Sequence, residues 1–258
     1  MLNLFYLENI IKHMDKSTGE LISSTSSSLL TLAVTSGNPI GSAIAQPCFK
    51  SVIDEFIIKP LTDKEQTRIG VVYTGAIDII NRKLEEGQSL RNDGFFNNDE
   101  KNAAVILEGT LLKARDEFEK RKLKFYQNLL ANMCFDITLN YEKLNSMLKI
   151  IERLTYRQLQ IIAYAYKVEL INTSGWDVKF KRTPAAAHYF DFYSELMELY
   201  NCALLQQKGT MISMGGNNEF QISPMGKQFA ELLKLEDIPK SETQEIDNFI
   251  NTLNAILK

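Results

Sequence analysis

The side chains best able to do chemistry are sparse in this chain and stand apart from one another. It has two histidines, His13 and His188, and neither lies in an H-E-x-x-H run or a Cys/His cluster, so a metal-activated water has no recognisable ligand set. Cys48, Cys134 and Cys202 are odd in number and widely spaced, which fits neither a disulfide framework nor paired zinc ligands and points to a reducing, cytoplasmic setting. Gly37-Asn38-Pro39-Ile40-Gly41-Ser42 lacks the lysine that reaches phosphate in a P-loop, and neither G-x-G-x-x-G nor G-x-S-x-G occurs. Glu85-Glu86 and Asp116-Glu117 are adjacent acids. Successive residues of a helix point about 100° apart, so these read as surface charge rather than carboxylate dyads. The pattern predicts no catalytic residue, no metal and no cofactor, and the chain reads as non-enzymatic.

Binding chemistry is better represented. In Arg91-Asn92-Asp93-Gly94-Phe95-Phe96, Arg91 and Asp93 are candidates for contact with a ligand or partner at a loop anchored by two aromatics. The alternative is structural: Asp93-Gly94 makes a turn and the two phenylalanines plug a core. Further on, Lys179-Phe180-Lys181-Arg182 is the compact basic cluster of the C-terminal part. Lys179, Lys181 and Arg182, with Arg157 upstream, complete the candidate contact residues.

The elements that must position these groups are predominantly helical. Hydrophobic residues make up 45% and charged residues 24% of 258, which suits a folded chain with a sizeable core. The expected organisation is an N-terminal helix and charge-free segment over 1–60, a helical domain over 61–153, a winged-helix-like domain over 154–238 and a C-terminal helix over 239–258. Residues 3–14 carry Leu4, Leu7, Ile10, Ile11 and Met14 at the spacing of one helix face. Thr62 with Glu65 is a capping box that opens a helix to about residue 86, its stripe formed by Ile69, Val72, Ala76, Ile79, Ile80 and Leu84. A charged helix from about Asp99 should turn Ile106, Leu107, Leu111, Ala114 and Phe118 inward. On its exposed face Asp116 with Lys120 and Glu117 with Arg121 have i, i+4 spacing. Two more helices follow, one through Phe125, Leu129 and Met133 and one from Asn140 through Ile151.

After a second capping box at Thr155 and Gln158, the order becomes helix, connector, helix, hairpin, helix. Thr183-Pro184 starts a helix expected over 185–207. Residues 211–222 should form a two-stranded hairpin, with Ile212 and Met214 on one strand and Phe220 and Ile222 on the other. Ser223-Pro224 begins the next helix, and Ser241 with Gln244 reads as a third capping box. The fold class is therefore mainly α: a helical bundle, a winged-helix-like unit of helices plus one β-hairpin, and a C-terminal amphipathic helix. Ile246, Phe249, Ile250, Leu253 and Ile256 give that last helix a face too apolar for water, so it should dock or pair, possible homo-oligomer formation included.

The winged-helix order raises DNA binding, and charge argues against it. The chain carries 29 basic and 32 acidic residues, a net of -3. The helix before the hairpin bears Asp191, Glu195 and Glu198 and, between Ala185 and Gln207, neither lysine nor arginine. A recognition helix brings cations and amides to phosphates and base edges, so nucleic acid is an unlikely partner and protein the expected one. The aromatics Tyr189, Phe192, Tyr193 and Tyr200 fall with Leu196 on one face, a core stripe rather than a stacking platform.

Two motifs, Gly87-x-x-Leu90-Arg91-x-Asp93-Gly94-Phe95-Phe96 and Leu154-Thr155-Tyr156-Arg157-Gln158-Leu159, with Glu108-Gly109-x-Leu111 between them, resemble an uncharacterised family of bacterial helical proteins over roughly 60–165. Such proteins place an apolar, glycine- and alanine-rich stretch near the N-terminus, a feature similar to abortive-infection proteins of phage defence. Here that stretch is filled with serines at positions 23, 24 and 26 to 28. Residues 21–49 contain no charged side chain, yet with Asn38 and Pro39 they are too polar and broken for a spanning helix. The segment is expected to fold against the body, with membrane contact only after triggered release. No secretory signal precedes it: Glu8 comes early and no basic run opens the chain. The resulting expectation is a cytoplasmic, non-enzymatic interaction or sensor protein of bacterial stress or phage response. A DNA-binding regulator and a membrane-perturbing effector using residues 21–49 are the alternatives.

Overall fold

The computed structural model describes residues 61–96, 102–168, 170–173, 184–208 and 219–257. The expected helix over 3–14, the charge-free segment, Lys179, Lys181, Arg182, Ile212 and Met214 lie outside the described residues. The fold is mainly helical, as the sequence predicts, with a small antiparallel sheet. The chain divides into two units between Asn145 and Ser146, inside a single helix.

The first unit is built on α1 (Asp63–Glu85), α2 (Asn102–Asp116) and α3 (Leu123–Asn132). The capping box forms as read: Thr62 accepts from the Glu65 amide and Glu65 from the Thr62 amide. Ile69, Val72, Ala76 and Ile80 of α1 are buried with Ile106, Leu107 and Leu111 of α2 and Phe125, Tyr126 and Leu129 of α3. At Gly75 a Cβ would come within 2.4 Å of the Gln127 amide carbon. The missing side chain leaves room for the end of the Gln127 side chain, whose Nε2 donates to the Val71 carbonyl at 3.0 Å. Phe118 departs from expectation: it is 80% exposed, because α2 stops at Asp116 and the helical period does not reach it. The same stop removes the i, i+4 geometry expected for Asp116 and Glu117. Asp116 instead accepts two bonds from its neighbour Arg115, and Glu117 is buried rather than a surface charge.

Helix α4 (Tyr141–Arg153) crosses the boundary between the units, with Asn140 Oδ1 accepting from the Lys143 amide at its start. The second unit holds α5 (Tyr156–Lys167), β1 (Ile171–Asn172), α6 (Pro184–Asn201), β2 (Leu205–Gln207), β3 (Glu219–Ile222), α7 (Pro224–Leu233) and α8 (Lys240–Leu257). The sheet order is β1-β3-β2, antiparallel throughout, with Ile171 opposite Phe220 and Leu205 opposite Ile222.

Residues 205–207, expected as the end of a helix, are thus a strand. They pair with β3 in the role the sequence reading gave to Ile212 and Met214, and Phe220 has Ile171 on its other side. The cause is a helix stop without glycine. Ala203 adopts φ 57, its amide donates to Tyr200 O, and the Leu204 amide reaches back to Leu199 O, the paired bonds of a Schellman end. Leu199 and Leu204, both fully buried, supply the accompanying apolar contact. Ser223 then fastens α7 to this corner: its hydroxyl donates to Ala203 O at 2.5 Å and accepts from the Gly226 amide at 2.8 Å. The third capping box is not used. α8 begins one residue before Ser241, and the Pro239 carbonyl accepts from the Glu242 and Thr243 amides. Among the described residues, no helix is long and apolar enough to cross a membrane.

Candidate functional site

Arg91 follows α1 in a loop whose shape it fixes. Its Nε donates to Asp93 Oδ1 at 2.9 Å and its Nη2 to Asp93 Oδ2, while Nη1 donates to Leu139 O at 2.8 Å and Met133 O at 3.2 Å. Met133 caps α3, so the cation sits where that helix leaves carbonyls without intrahelical partners and where its dipole is negative. The guanidinium carbon also lies 4.1 Å from the Phe95 ring centroid. These bonds are internal and the Arg91 side chain is 2% exposed, whereas Asp93 keeps 35%. Hydrogen bonding from Arg91 holds the Asp93 carboxyl below its usual range. The neighbouring Cys134 thiol is pushed up to about 12 by burial, which removes it as a nucleophile at neutral pH. The cavity beside it, lined by Tyr73, Ile80, Leu107, Met133 and Cys134 among others, is apolar and of about 10 Å³, too small for an organic ligand.

In the second unit Arg157 stands in the first turn of α5 and meets α6. Its Nε donates to Glu195 Oε2 at 3.0 Å, and its guanidinium lies 5.2 Å from the Phe249 ring centroid. Arg153 Nε donates to Glu198 Oε1 at 2.9 Å, and Gln158 Nε2 to Glu198 Oε2 at 2.6 Å. Gln158 is also half of the capping box that starts α5, so one amide both caps that helix and grips α6. Burial pushes the Glu195 carboxyl up in spite of Arg157, and burial likewise raises the Cys202 thiol. The two arginines are 48% and 58% exposed. The arrangement is therefore a row of charge pairs at a surface.

Ile246, Ile250 and Leu253 of α8 are buried, and Phe249 is half-buried with its ring edge-on to Phe192, centroids 5.3 Å apart. Ile256 belongs to the same helix, and its side chain is outside the described residues. The face is covered within the unit by α5 and α6. A polar seam flanks it: Gln160 Nε2 donates to Glu242 at 2.6 Å, Tyr164 Oη to Asp247 at 2.7 Å, and Lys167 Nζ to Thr243 Oγ1 at 3.5 Å.

Sequence reasoning missed one constellation. Glu117 and Lys122 form an ion pair of 2.6 Å with side chains only 5% and 3% exposed, and Tyr126 Oη donates to the same carboxylate at 3.3 Å. An acid and a base five residues apart match no helical spacing, which is why the pair carried no signal. Among the described residues, no group of three or more His, Cys, Asp or Glu side chains is placed to hold a metal ion. No family model, curated protein or solved structure matches the chain.

Proposed function

We propose that this chain is a non-enzymatic interaction protein whose winged-helix-like unit engages protein rather than DNA. One observation carries the reading: α6, the helix that precedes the β2–β3 pair, offers Glu195 and Glu198 on its polar face and holds both in ion pairs with Arg157 and Arg153. A helix that reads DNA must neutralise phosphates, and α6 has neither lysine nor arginine from Pro184 to Asn201. Among its described side chains, those that α6 exposes include His188, Phe190, Asp191 and Ser194, an aromatic among polar groups of the kind found in protein interfaces. A setting in bacterial stress or phage response rests on the resemblance of the Arg91 and Thr155 motifs described above.

The reading has a two-sided test. Fluorescence anisotropy with mixed-sequence duplex DNA at about 150 mM salt should show no binding, because few phosphates are neutralised. Affinity capture from native cells should recover a protein partner that Phe190→Ala combined with Asp191→Lys releases. Tight DNA binding, or capture unaffected by the paired substitution, would overturn it.

A further inference from the structure

We infer that the turn 117–122 is a peripheral docking tip for an anionic lipid surface. The turn is clamped at its base. Glu117 and Lys122 close it through their buried 2.6 Å pair, Glu117 Oε1 accepts from the Glu119 amide at 2.9 Å, and the Lys122 amide donates to Glu119 O at 2.8 Å. Burying two opposite charges is a poor source of stability, so a buried pair at this place is better explained by the shape it imposes. That shape puts Phe118 outside at 80% exposure, with Lys120 and Arg121 exposed beside it on a 3-10 turn. Residues 113–124 hold six basic side chains against three acidic ones in a chain whose net charge is -3. Two of those acids pair with two of those bases, Glu117 with Lys122 and Asp116 with Arg115, so the other four bases stand against Glu119 and the basic excess of the segment is three.

The chemistry of the tip selects the occupant. A protein partner of ordinary size covers about 800 Å² with a contiguous apolar centre. The other large apolar side chains exposed among the described residues of this unit, Val105 and Ile137, stand in the first turn of α2 and in the α3–α4 connection, and the turn 117–122 itself exposes a single large apolar side chain, Phe118. One protruding ring flanked by cations suits the headgroup layer. The ring enters the interface while ammonium and guanidinium groups meet lipid phosphates on flexible stems. Such contact is peripheral and independent of residues 21–49, so it requires no triggered release of that segment.

The test is co-sedimentation of the full chain with vesicles of phosphatidylcholine alone and with vesicles containing about one-third phosphatidylglycerol, where anionic charge adds attraction for each lysine or arginine near the surface. The chain should bind the anionic vesicles, release them at high salt and ignore the neutral ones. Lys120→Glu with Arg121→Glu should lower the partition at least about tenfold, and Phe118→Ala should lower it less, with unchanged circular dichroism because these side chains are exposed. Absence of binding overturns the proposal, as does binding that both variants retain, which would move the contact elsewhere in the chain. Capture of an acidic protein that depends on the same residues, without vesicle binding, would assign the tip to a protein partner and equally overturn the lipid reading.

Discussion

The two units use the same pair of charge types in opposite ways. Glu117 and Lys122 are buried together, at 5% and 3% side-chain exposure, and their attraction shapes the turn between α2 and α3. Arg157 lies at the surface at 48% and Glu195 is half-buried beside it at 22%, so water still reaches this pair. The two pairs are similarly close, 2.6 Å against 3.0 Å, so distance alone does not rank them. Solvent decides. Removing one member of a buried pair strands an ion in a medium that cannot solvate it, whereas either member of a surface pair rehydrates when its partner is lost.

The largest effect should therefore follow from Lys122→Met, which leaves the Glu117 carboxylate buried and should lower stability by about 3–5 kcal/mol. Urea unfolding would register this as a lower midpoint. The double variant Glu117→Gln with Lys122→Met should recover most of the loss, because no charge then remains to be solvated. A single variant that costs under about 1 kcal/mol would place the pair with the surface class and end the contrast.

A second test asks whether packing rather than charge holds the second unit together. A Cβ on Gly226 would lie 2.0 Å from the Leu204 carbonyl oxygen, and a backbone atom cannot swing aside as the end of a long side chain can. Gly226→Ala should cost about 1–3 kcal/mol by forcing α7 away from the α6 corner. Arg157→Ala, which breaks the surface pair, should cost about 0–1 kcal/mol. The order of these two midpoints sharpens the comparison, and its reversal would show that the charge row, not the corner, fixes α6.

Much of this architecture was legible because helix starts are written locally. Thr62 with Glu65 and Thr155 with Gln158 satisfy each other's backbone donors through their side chains, and Ser223 accepts from the Gly226 amide while Pro224 takes the first helical position, where no donor is needed. Stripes such as Ile69, Val72, Ala76 and Ile80 showed which face would be covered, though not by what. The failures have a common form. The end of α6 uses Ala203 in the left-handed region, where glycine is the usual marker, so the strand after it read as more helix. β1 is two residues long and is defined by β3, about fifty positions later in sequence. Arg91 signalled binding, but its carbonyl partners at Met133 and Leu139 carry no side-chain signature at all. Phe118 was assigned inward by extending a period past the helix that supported it.

The finest test of the comparison uses pH, because two carboxylates with arginine partners are displaced in opposite directions. Asp93 is held below its ordinary range, chiefly by the hydrogen bonds of Arg91, so its folded pKa is lower than its unfolded one. Its stabilising contribution is present above the unfolded pKa and is lost as pH falls through the folded value. Glu195 is raised, chiefly by burial, with Arg157 only partly opposing the shift. Its sign is reversed: the contribution is present below the unfolded pKa and is lost as pH rises through the folded value. Unfolding of Asp93→Asn and Glu195→Gln should therefore be followed beside the unsubstituted chain from about pH 3 to pH 7, the span over which carboxylates titrate. The deficit of Asp93→Asn should be greatest at neutral pH and shrink in acid. Glu195→Gln should be near neutral or slightly stabilising at pH 7, and the unsubstituted chain should gain on it as acid protonates Glu195. Both effects are small, since 35% of the Asp93 side chain and 48% of the Arg157 side chain face solvent, which screens each interaction. The crossing of the two difference curves is the sensitive observable. Parallel curves would mean that the arginine partner, and not burial, sets the behaviour at both places.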